Sequence, residues 1–130
     1  VLNNHIIHEI SPRNTAAAIA RAALYVQRHF GMDAMMWILP SDHYIENERA
    51  LKLDLRKAAR AAQRGCLVTF GIKPTRAETQ YGYIRFEAPL VGGHAFFVDE
   101  FKEKPTEDAA HAYVRQGDYL WNSGMFVFTA

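Results

Sequence analysis

The stretch AMMWILPSDHYI, residues 34–45, decides the fold class, because an unbroken apolar run ends there in a proline, a carboxylate and an imidazole. Apolar residues throughout 34–39 are typical of a parallel strand that helices cover on both faces. An open parallel sheet binds its ligands at the carboxyl ends of its strands. Residues 41–43, which follow this strand, are therefore candidates for a binding site.

The segments on either side alternate between helix and strand. Apolar side chains recur at helical spacing in residues 15–31 and again from about residue 46 to residue 64. A short strand is predicted before the first helix, over residues 5–10, and a continuous apolar strand after the second, over residues 66–72. The apolar face of the second helix comprises Leu51, Leu55, Ala58 and Ala62. The order βαβαβ predicts an α/β fold with a mostly parallel sheet and helices on both faces.

The second half of the chain departs from this alternation. Residues 81–86 and 95–101 are predicted strands that form a β-rich excursion. A helix over roughly residues 107–116 follows, with Thr106 as its predicted cap and Gly117 as its predicted end. The aromatic stretch YLWNSGMFVF, residues 119–128, is predicted to turn and then to enter a buried strand. Because no Pro/Ser-rich linker divides the sequence, we expect one domain.

The composition is that of an ordinary globular chain, with 49% hydrophobic and 22% charged residues and a net charge of +1. Such a charge gives no support to binding of nucleic acid or of a membrane surface. No apolar run reaches the roughly 18 residues that a membrane-spanning helix needs. Cys66 is the only cysteine, so an internal disulfide is impossible and a reducing compartment, the cytoplasm, is expected.

Asp42 is the candidate metal ligand, because Mg²⁺ is a hard ion that prefers carboxylate and phosphate oxygen. An aspartate after a strand is also common as an Asx turn or as the cap of the next helix. The spacing alone leaves both interpretations open. His43 beside it is of a residue type that is more often structural than catalytic.

The start of the first helix, RNTA, is a candidate anion or base site. Backbone N–H groups at a helix start lack partners and lie at the positive end of the helix dipole. Simple capping by Asn14 or Thr15 explains the same residues. Glu9 can accept two parallel N–H bonds, such as guanine offers, and Arg13 can contact phosphate. Glu9 is equally typical of a surface charge near the end of a strand, and Arg13 of a solvated loop residue.

Three motifs in the second half add binding candidates. Gly82 lies between aromatic residues in a predicted strand, which indicates close approach by a ligand or a backbone, or else a bulge or tight packing. In EKP, Glu103 accepts hydrogen bonds and Lys104 attracts phosphate, although such pairs are usually solvated surface. Asn122 in WNSG is an amide among residues that should be buried, so it needs partners, unless it merely closes a turn.

These motifs occur in one order: E-x-x-x-RNTA, LPSDH, LVTFGIKPT, ET-x-YGYI, F-x-EKP and WNSGMF-x-F. In this order, and from about Glu9 to the end, the chain resembles mannose-1-phosphate guanylyltransferase, also called GDP-mannose pyrophosphorylase. The resemblance is to the bacterial type whose longer members append a mannose-6-phosphate isomerase domain. It implies a Rossmann-like nucleotide-diphosphosugar transferase fold. It also implies conversion of mannose 1-phosphate and GTP into GDP-mannose and pyrophosphate.

The resemblance implies a role for each candidate residue. Asp42 would bind Mg²⁺ and act in catalysis with Lys104; Glu9, Arg13, Asn14 and Thr15 would bind the nucleotide; Gly82, Glu103, Lys104 and Asn122 would bind the sugar phosphate. The sugar-phosphate oxygen would attack the α-phosphorus of GTP in line, without a covalent enzyme intermediate. Mg²⁺ and basic side chains would neutralise the phosphate charge. Where the family usually has other residues, at Ile10, Ala17, Ala77 and Gln80, the departures concern loop geometry more than chemistry.

The glycine-rich GGxGTRLWPLS loop of the family and its second metal aspartate are not in these 130 residues. We therefore expect the central part of a single nucleotidyltransferase domain, incomplete at the N-terminus and inactive alone. Two alternatives stay open: another sugar-1-phosphate nucleotidyltransferase, or a non-catalytic sugar-nucleotide-binding module. A sheet edge exposed by the missing strand would favour a homo-oligomer.

Overall fold

The computed structural model of the chain describes residues 6–89 and 95–130. Within these ranges the elements follow one another as α1 (Asn14–Phe30), β1 (Met35–Ile38), α2 (Glu48–Ala62), β2 (Val68–Ile72), β3 (Tyr83–Pro89), β4 (Phe96–Lys102), α3 (Glu107–Gln116) and β5 (Tyr119–Thr129). The fold is therefore α/β, as predicted. No helix among the described residues is both long and apolar enough to cross a bilayer.

Strand β5 is the centre of the described sheet, since β1, β2 and β3 all pair with it and β4 pairs with β3. Trp121 of β5 is registered with both β2 and β3, so these two strands lie on opposite edges of β5. Val127 is likewise registered with both β1 and β2. Consequently β1 and β3 share one edge, β3 beside residues 119–121 and β1 beside residues 126–129. A gap separates them next to Ser123 and Gly124.

All pairings between the described strands are antiparallel, so the predicted mostly parallel sheet is wrong for this part of the chain. Strands β1 and β2 do point in the same direction, because both run antiparallel to β5. They do not pair with each other, since β5 runs between them. A continuous apolar pattern reports that both faces of a strand are covered; it does not report which strand lies beside it.

Two clusters of buried side chains hold helices on the sheet. Leu55, Ala58 and Ala62 of α2 pack on Val127, which confirms the predicted apolar face of that helix. Burying a leucine such as Leu55 contributes about 2 kcal/mol. The second cluster joins α3 to β3 and β5 and comprises Tyr83, Ala110, Tyr119 and Trp121.

The N-terminal region differs from expectation in two ways. Residues 6–10, the described part of the predicted first strand, form no strand, and Ile6 and Ile10 are 75% and 98% exposed. Apolar alternation forms a strand only where a neighbouring strand supplies hydrogen bonds, and the described sheet offers none to this segment. Helix α1 has the predicted extent, but none of its residues is buried.

Candidate functional site

Three of the predicted binding residues meet at the start of β3. The backbone N–H of Asn122 donates to the carbonyl of Gly82 over 2.7 Å. A Cβ added to Gly82 would stand 2.9 Å from Glu103 Oε2 and 2.8 Å from Phe101 Cζ. The described contacts at Gly82 are therefore the tight packing of these two side chains, the alternative to close approach by a ligand or a backbone. Gly82, Glu103 and Asn122 are called the Gly82 cluster below.

The carboxamide of Asn122 is held by groups on two sides. Its Oδ1 accepts from the hydroxyl of Thr69, 3.0 Å away on β2, and from the backbone N–H of Gly124 at 3.3 Å. Asn122 lies inside β5, so the predicted turn at WNSG is wrong. The strand continues through this motif because β2 pairs along it, with a register shift between Thr69 and Gly71 that accommodates extra residues of β5.

The turn that carries Asp42 adjoins this cluster through Gly124. A Cβ on Gly124 would stand 3.6 Å from Pro40 Cγ, so the chain leaving β1 passes along the gap between β1 and β3. Asp42 itself is exposed in the turn after Pro40. It does not cap α2, because Asn47 does so by accepting from the backbone N–H of Ala50 at 3.0 Å. The capping alternative for Asp42 is therefore wrong, and its carboxylate is open to solvent.

Asp42 by itself is an incomplete metal site. No group of three or more histidine, cysteine, aspartate or glutamate side chains suited to a metal ion occurs among the described residues. Mg²⁺ keeps most of its waters and is often held by one or two carboxylates together with phosphates of a substrate. A single exposed carboxylate fits Mg²⁺ that is bound chiefly by a phosphorylated ligand.

Lys104 stands directly beyond Glu103 in an unusual conformation. Its φ is 44°, in the left-handed region that residues with a side chain rarely adopt. Its Nζ lies 3.8 Å from Glu103 Oε1, and both side chains are well exposed, so the ion pair adds little stability. Left-handed backbone at a residue other than glycine is often found at functional sites. The ammonium group is thus available to an anionic ligand beside the Gly82 cluster.

The four nucleotide-binding candidates lie apart from this cluster in the described contacts. Glu9 and Arg13 are exposed in the segment before α1. The helix begins at Asn14, whose φ is 62°, and Arg13 at the cap position makes no side-chain cap bond. Capping by Asn14 or Thr15 is therefore wrong, since both lie within the helix. The first N–H groups of α1 thus receive no bond from the side chain at the cap position, which agrees with the anion-site interpretation.

Trp121 holds the loop before Gly82 against β5, which the sequence did not reveal. The guanidinium carbon of Arg76 lies 5.6 Å from the centre of the indole, and the ring of Tyr81 meets it edge-on at 5.3 Å. Arg76 also pairs with Glu78 at 3.1 Å. The Gln80 backbone, followed by Arg76, lowers the pKa of the Glu78 carboxyl by hydrogen bonding. These contacts fix the loop from which Gly82 enters β3.

Hydrogen bonds from Tyr119 of β5 and Lys102 of β4 to Glu100 fix β4, which ends directly before Glu103. The hydroxyl of Tyr119 donates to Glu100 Oε2 over 2.8 Å, and Lys102 Nζ lies 2.6 Å from Glu100 Oε1. The bond from Lys102, followed by that from Tyr119, lowers the pKa of the Glu100 carboxyl. Burial, reinforced by the bond to Glu100, raises the pKa of Tyr119 to about 12.

Comparison with known proteins agrees with the motifs. The family model described as nucleotidyl transferase matches residues 2–130. The xanthan biosynthesis protein XanB of Xanthomonas campestris pv. campestris (strain B100) is 50% identical over 125 residues, which cover 96% of this chain and 26% of that protein. Mannose-1-phosphate guanylyltransferase RfbM of Salmonella typhimurium is 49% identical over 130 residues, 99% of this chain and 27% of that protein.

The fold agrees with a solved structure as well. The crystal structure of mannose-1-phosphate geranyltransferase from Thermus thermophilus superposes with a TM-score of 0.84 at 33% identity, over 95% of this chain and 35% of that one. The resemblance predicted from the motifs is therefore confirmed over nearly the whole chain. The chain spans about a quarter of the length of the curated relatives that it matches, at 26% and 27%.

Proposed function

The chain belongs to the nucleotidyl transferase family, and from that premise we propose that the full-length protein converts mannose 1-phosphate and GTP into GDP-mannose and pyrophosphate. A protein of this activity supplies a nucleotide sugar for polysaccharide synthesis. That role is supported by the relative XanB, which is named for xanthan biosynthesis. For the whole catalytic domain we further propose the Rossmann-like sheet, with parallel pairings that involve residues beyond those described.

The observation that carries this proposal is the Gly82 cluster. Glu103 offers a carboxylate acceptor and Asn122 offers amide donors. Gly82 provides the backbone that joins them. A sugar ring presents hydroxyl groups that donate and accept at once, so a carboxylate and an amide at one place suit such a ring. We propose that this cluster binds the mannose hydroxyls.

Two exposed charges lie close to the cluster along the chain or in the fold, and both suit the phosphate part of the reaction. Lys104 follows Glu103 directly, and the turn with Asp42 reaches the cluster through Pro40 and Gly124. We propose that Lys104 holds the phosphate of mannose 1-phosphate, so that its oxygen attacks the α-phosphorus of GTP in line while pyrophosphate leaves. Preorganised positive charge of this kind stabilises the charge that develops during phosphoryl transfer.

Asp42 would hold Mg²⁺ against the phosphates of the nucleotide, and the ion supplies neutralisation of their negative charge. The carboxylate of Asp42 is suited to this because it is exposed to solvent. We propose that the N-terminal region binds the nucleotide. In that region Glu9 would accept the two N–H bonds of guanine, Arg13 would contact phosphate, and the uncapped start of α1 at Asn14 and Thr15 would offer N–H groups to the nucleotide.

The proposal is tested with a panel of sugar 1-phosphates offered to the full-length protein at saturating GTP. Mannose 1-phosphate should be used with a kcat/KM at least tenfold above that of glucose 1-phosphate. Equal use of several sugars would favour the second candidate function, a sugar-1-phosphate nucleotidyltransferase of another specificity. The match to the general nucleotidyl transferase family also supports that candidate. Binding of GDP-mannose without turnover of any sugar phosphate would favour a non-catalytic binding module.

A further inference from the structure

Thr69 contacts both sides of the irregular part of β5. Its Oγ1 lies 3.0 Å from Asn122 Oδ1 and 3.1 Å from the carbonyl oxygen of Met125. On β2, Thr69 is registered with Phe126 and Gly71 with Asn122, so β5 carries two more residues than β2 in this interval. The hydroxyl of Thr69 therefore spans the bulge, and its single proton is shared between these two acceptor oxygens.

The orientation of the Asn122 carboxamide follows from its second partner. The backbone N–H of Gly124, 3.3 Å from the carboxamide, can only donate, so the atom that faces it is the oxygen and not the NH₂ group. The NH₂ group then points away from Gly124 and Thr69. It is not among the described fully buried polar atoms that lack a partner, and Asn122 as a whole is half-buried.

We propose that Thr69 is a positioning residue that locks the Asn122 carboxamide with its NH₂ group toward the ligand. At this point the site then requires a hydrogen-bond acceptor on the ligand, such as the oxygen of a sugar hydroxyl. The inference rests on the proposed function for the identity of that ligand. The orientation of the amide does not depend on the proposed function, because it comes from the contacts of Thr69 and Gly124.

The matched variants Thr69→Val and Thr69→Ser test the positioning role in the full-length protein. Valine has nearly the shape of threonine but no hydroxyl, whereas serine keeps the hydroxyl. In Thr69→Val the KM for mannose 1-phosphate should rise about five- to tenfold, the value of one hydrogen bond, while the KM for GTP stays unchanged. Thr69→Ser should restore most of the loss. Equal KM values for mannose 1-phosphate in Thr69→Val and wild type would overturn the proposal.

The variant Asn122→Asp tests the polarity of the group that faces the ligand. An aspartate can still accept from Thr69 and Gly124, but its outward atom becomes an acceptor. The KM for mannose 1-phosphate should therefore rise at least as far as in Thr69→Val. Binding as tight as that of the wild type would show that the outward atom was already an acceptor and would overturn the proposal.

A measurement without substrate separates this inference from the proposed function. In the full-length protein labelled with ¹⁵N-asparagine, the side-chain amide of Asn122 is identified by its absence from the Asn122→Asp spectrum. We expect it to be nearly as rigid as the backbone, with an order parameter of about 0.85, in wild type and Thr69→Ser, and mobile in Thr69→Val. A mobile amide in the wild type would overturn the proposal even if Thr69→Val did not fold. Absence of turnover with a rigid amide would reject the proposed function alone.

Discussion

The backbone N–H of Asn122 donates to the carbonyl of Gly82 over 2.7 Å, and this bond joins two sequence motifs that lie 40 positions apart. It continues the β3–β5 ladder by one step beyond the pair of Tyr83 with Trp121. The bond places Asn122 next to Gly82 on the neighbouring strand, and the Glu103 carboxylate occupies the space that a side chain on Gly82 would fill. The proposed sugar site depends on this arrangement.

Replacing Gly82 by alanine should therefore damage both stability and sugar binding. The new methyl group would meet Phe101 Cζ at 2.8 Å and Glu103 Oε2 at 2.9 Å. Overpacking of this kind costs about 1–3 kcal/mol in the free energy of unfolding, which denaturant titration measures. The KM for mannose 1-phosphate should rise as well, because the carboxylate of Glu103 is displaced.

The double variant Gly82→Ala/Phe101→Leu separates the two effects. Leucine removes the ring atom that the methyl group meets, so much of the lost stability should return. The KM should stay raised, because Glu103 is still displaced. Recovery of the KM together with stability would show that Gly82 matters only for packing and would contradict the placement of Glu103 in the site.

Asp42→Asn should lower kcat/KM on the order of a hundredfold if the carboxylate holds Mg²⁺ against the nucleotide, because such charge neutralisation provides several kcal/mol. The dependence of the rate on Mg²⁺ concentration should also shift to higher values. Asp33→Asn is the matched control, since Asp33 is also an exposed aspartate but precedes β1, whereas Asp42 follows it. A rate and a Mg²⁺ dependence that are the same in both variants would remove Asp42 from the metal site.

Glu9→Gln should weaken the preference for GTP over ATP, because glutamine can accept only one of the two N–H bonds that a carboxylate takes from guanine. We expect the ratio of kcat/KM values for the two nucleotides to fall about tenfold or more. Glu87→Gln, an exposed position on β3, controls for loss of surface charge. An unchanged ratio in Glu9→Gln would exclude Glu9 from recognition of the base.

Tyr119 should make the stability depend on pH in alkaline solution. The pKa of Tyr119 is raised to about 12 in the folded state, whereas an unfolded tyrosine has a pKa near 10. The folded state thus keeps a proton that the unfolded state loses, and the free energy of unfolding should fall as pH rises from about 10 to about 12. Tyr119→Phe should remove this fall, and Tyr44→Phe, at a position 91% exposed, should leave it in place. An equal pH slope in wild type and Tyr119→Phe would refute the shift.

Helices and strands could be predicted from the sequence where the residues of a single segment determine its structure. The spacing of apolar residues predicted α2 and its buried face, and the Thr106 and Gly117 pair that bounds α3 is confirmed. Four strands, β1 to β4, lie within three residues of their predicted bounds, because short apolar runs between turn residues are typical of strands. The segment over residues 6–10 failed because a strand also requires a partner, which its own residues do not encode.

Relations between distant segments did not follow from local patterns. Nothing in residues 34–39 or 66–72 reveals that β5 runs between them, so the antiparallel pairing was missed. Asn122 was predicted as a site residue, yet the contribution of Thr69 was not. Its hydroxyl acquires a role only through the bulge on the strand opposite, and no spacing within either strand reports that contact.

The most direct measurement is the product formed when the full-length protein receives mannose 1-phosphate together with equal concentrations of GTP, ATP, UTP and CTP. Mass spectrometry identifies the nucleotide sugar, and pyrophosphate is quantified in the same reaction. We predict GDP-mannose as the main product, with one pyrophosphate released for each molecule formed. A different nucleotide sugar as the main product, or no pyrophosphate with any of the four nucleotides, would contradict the proposed function.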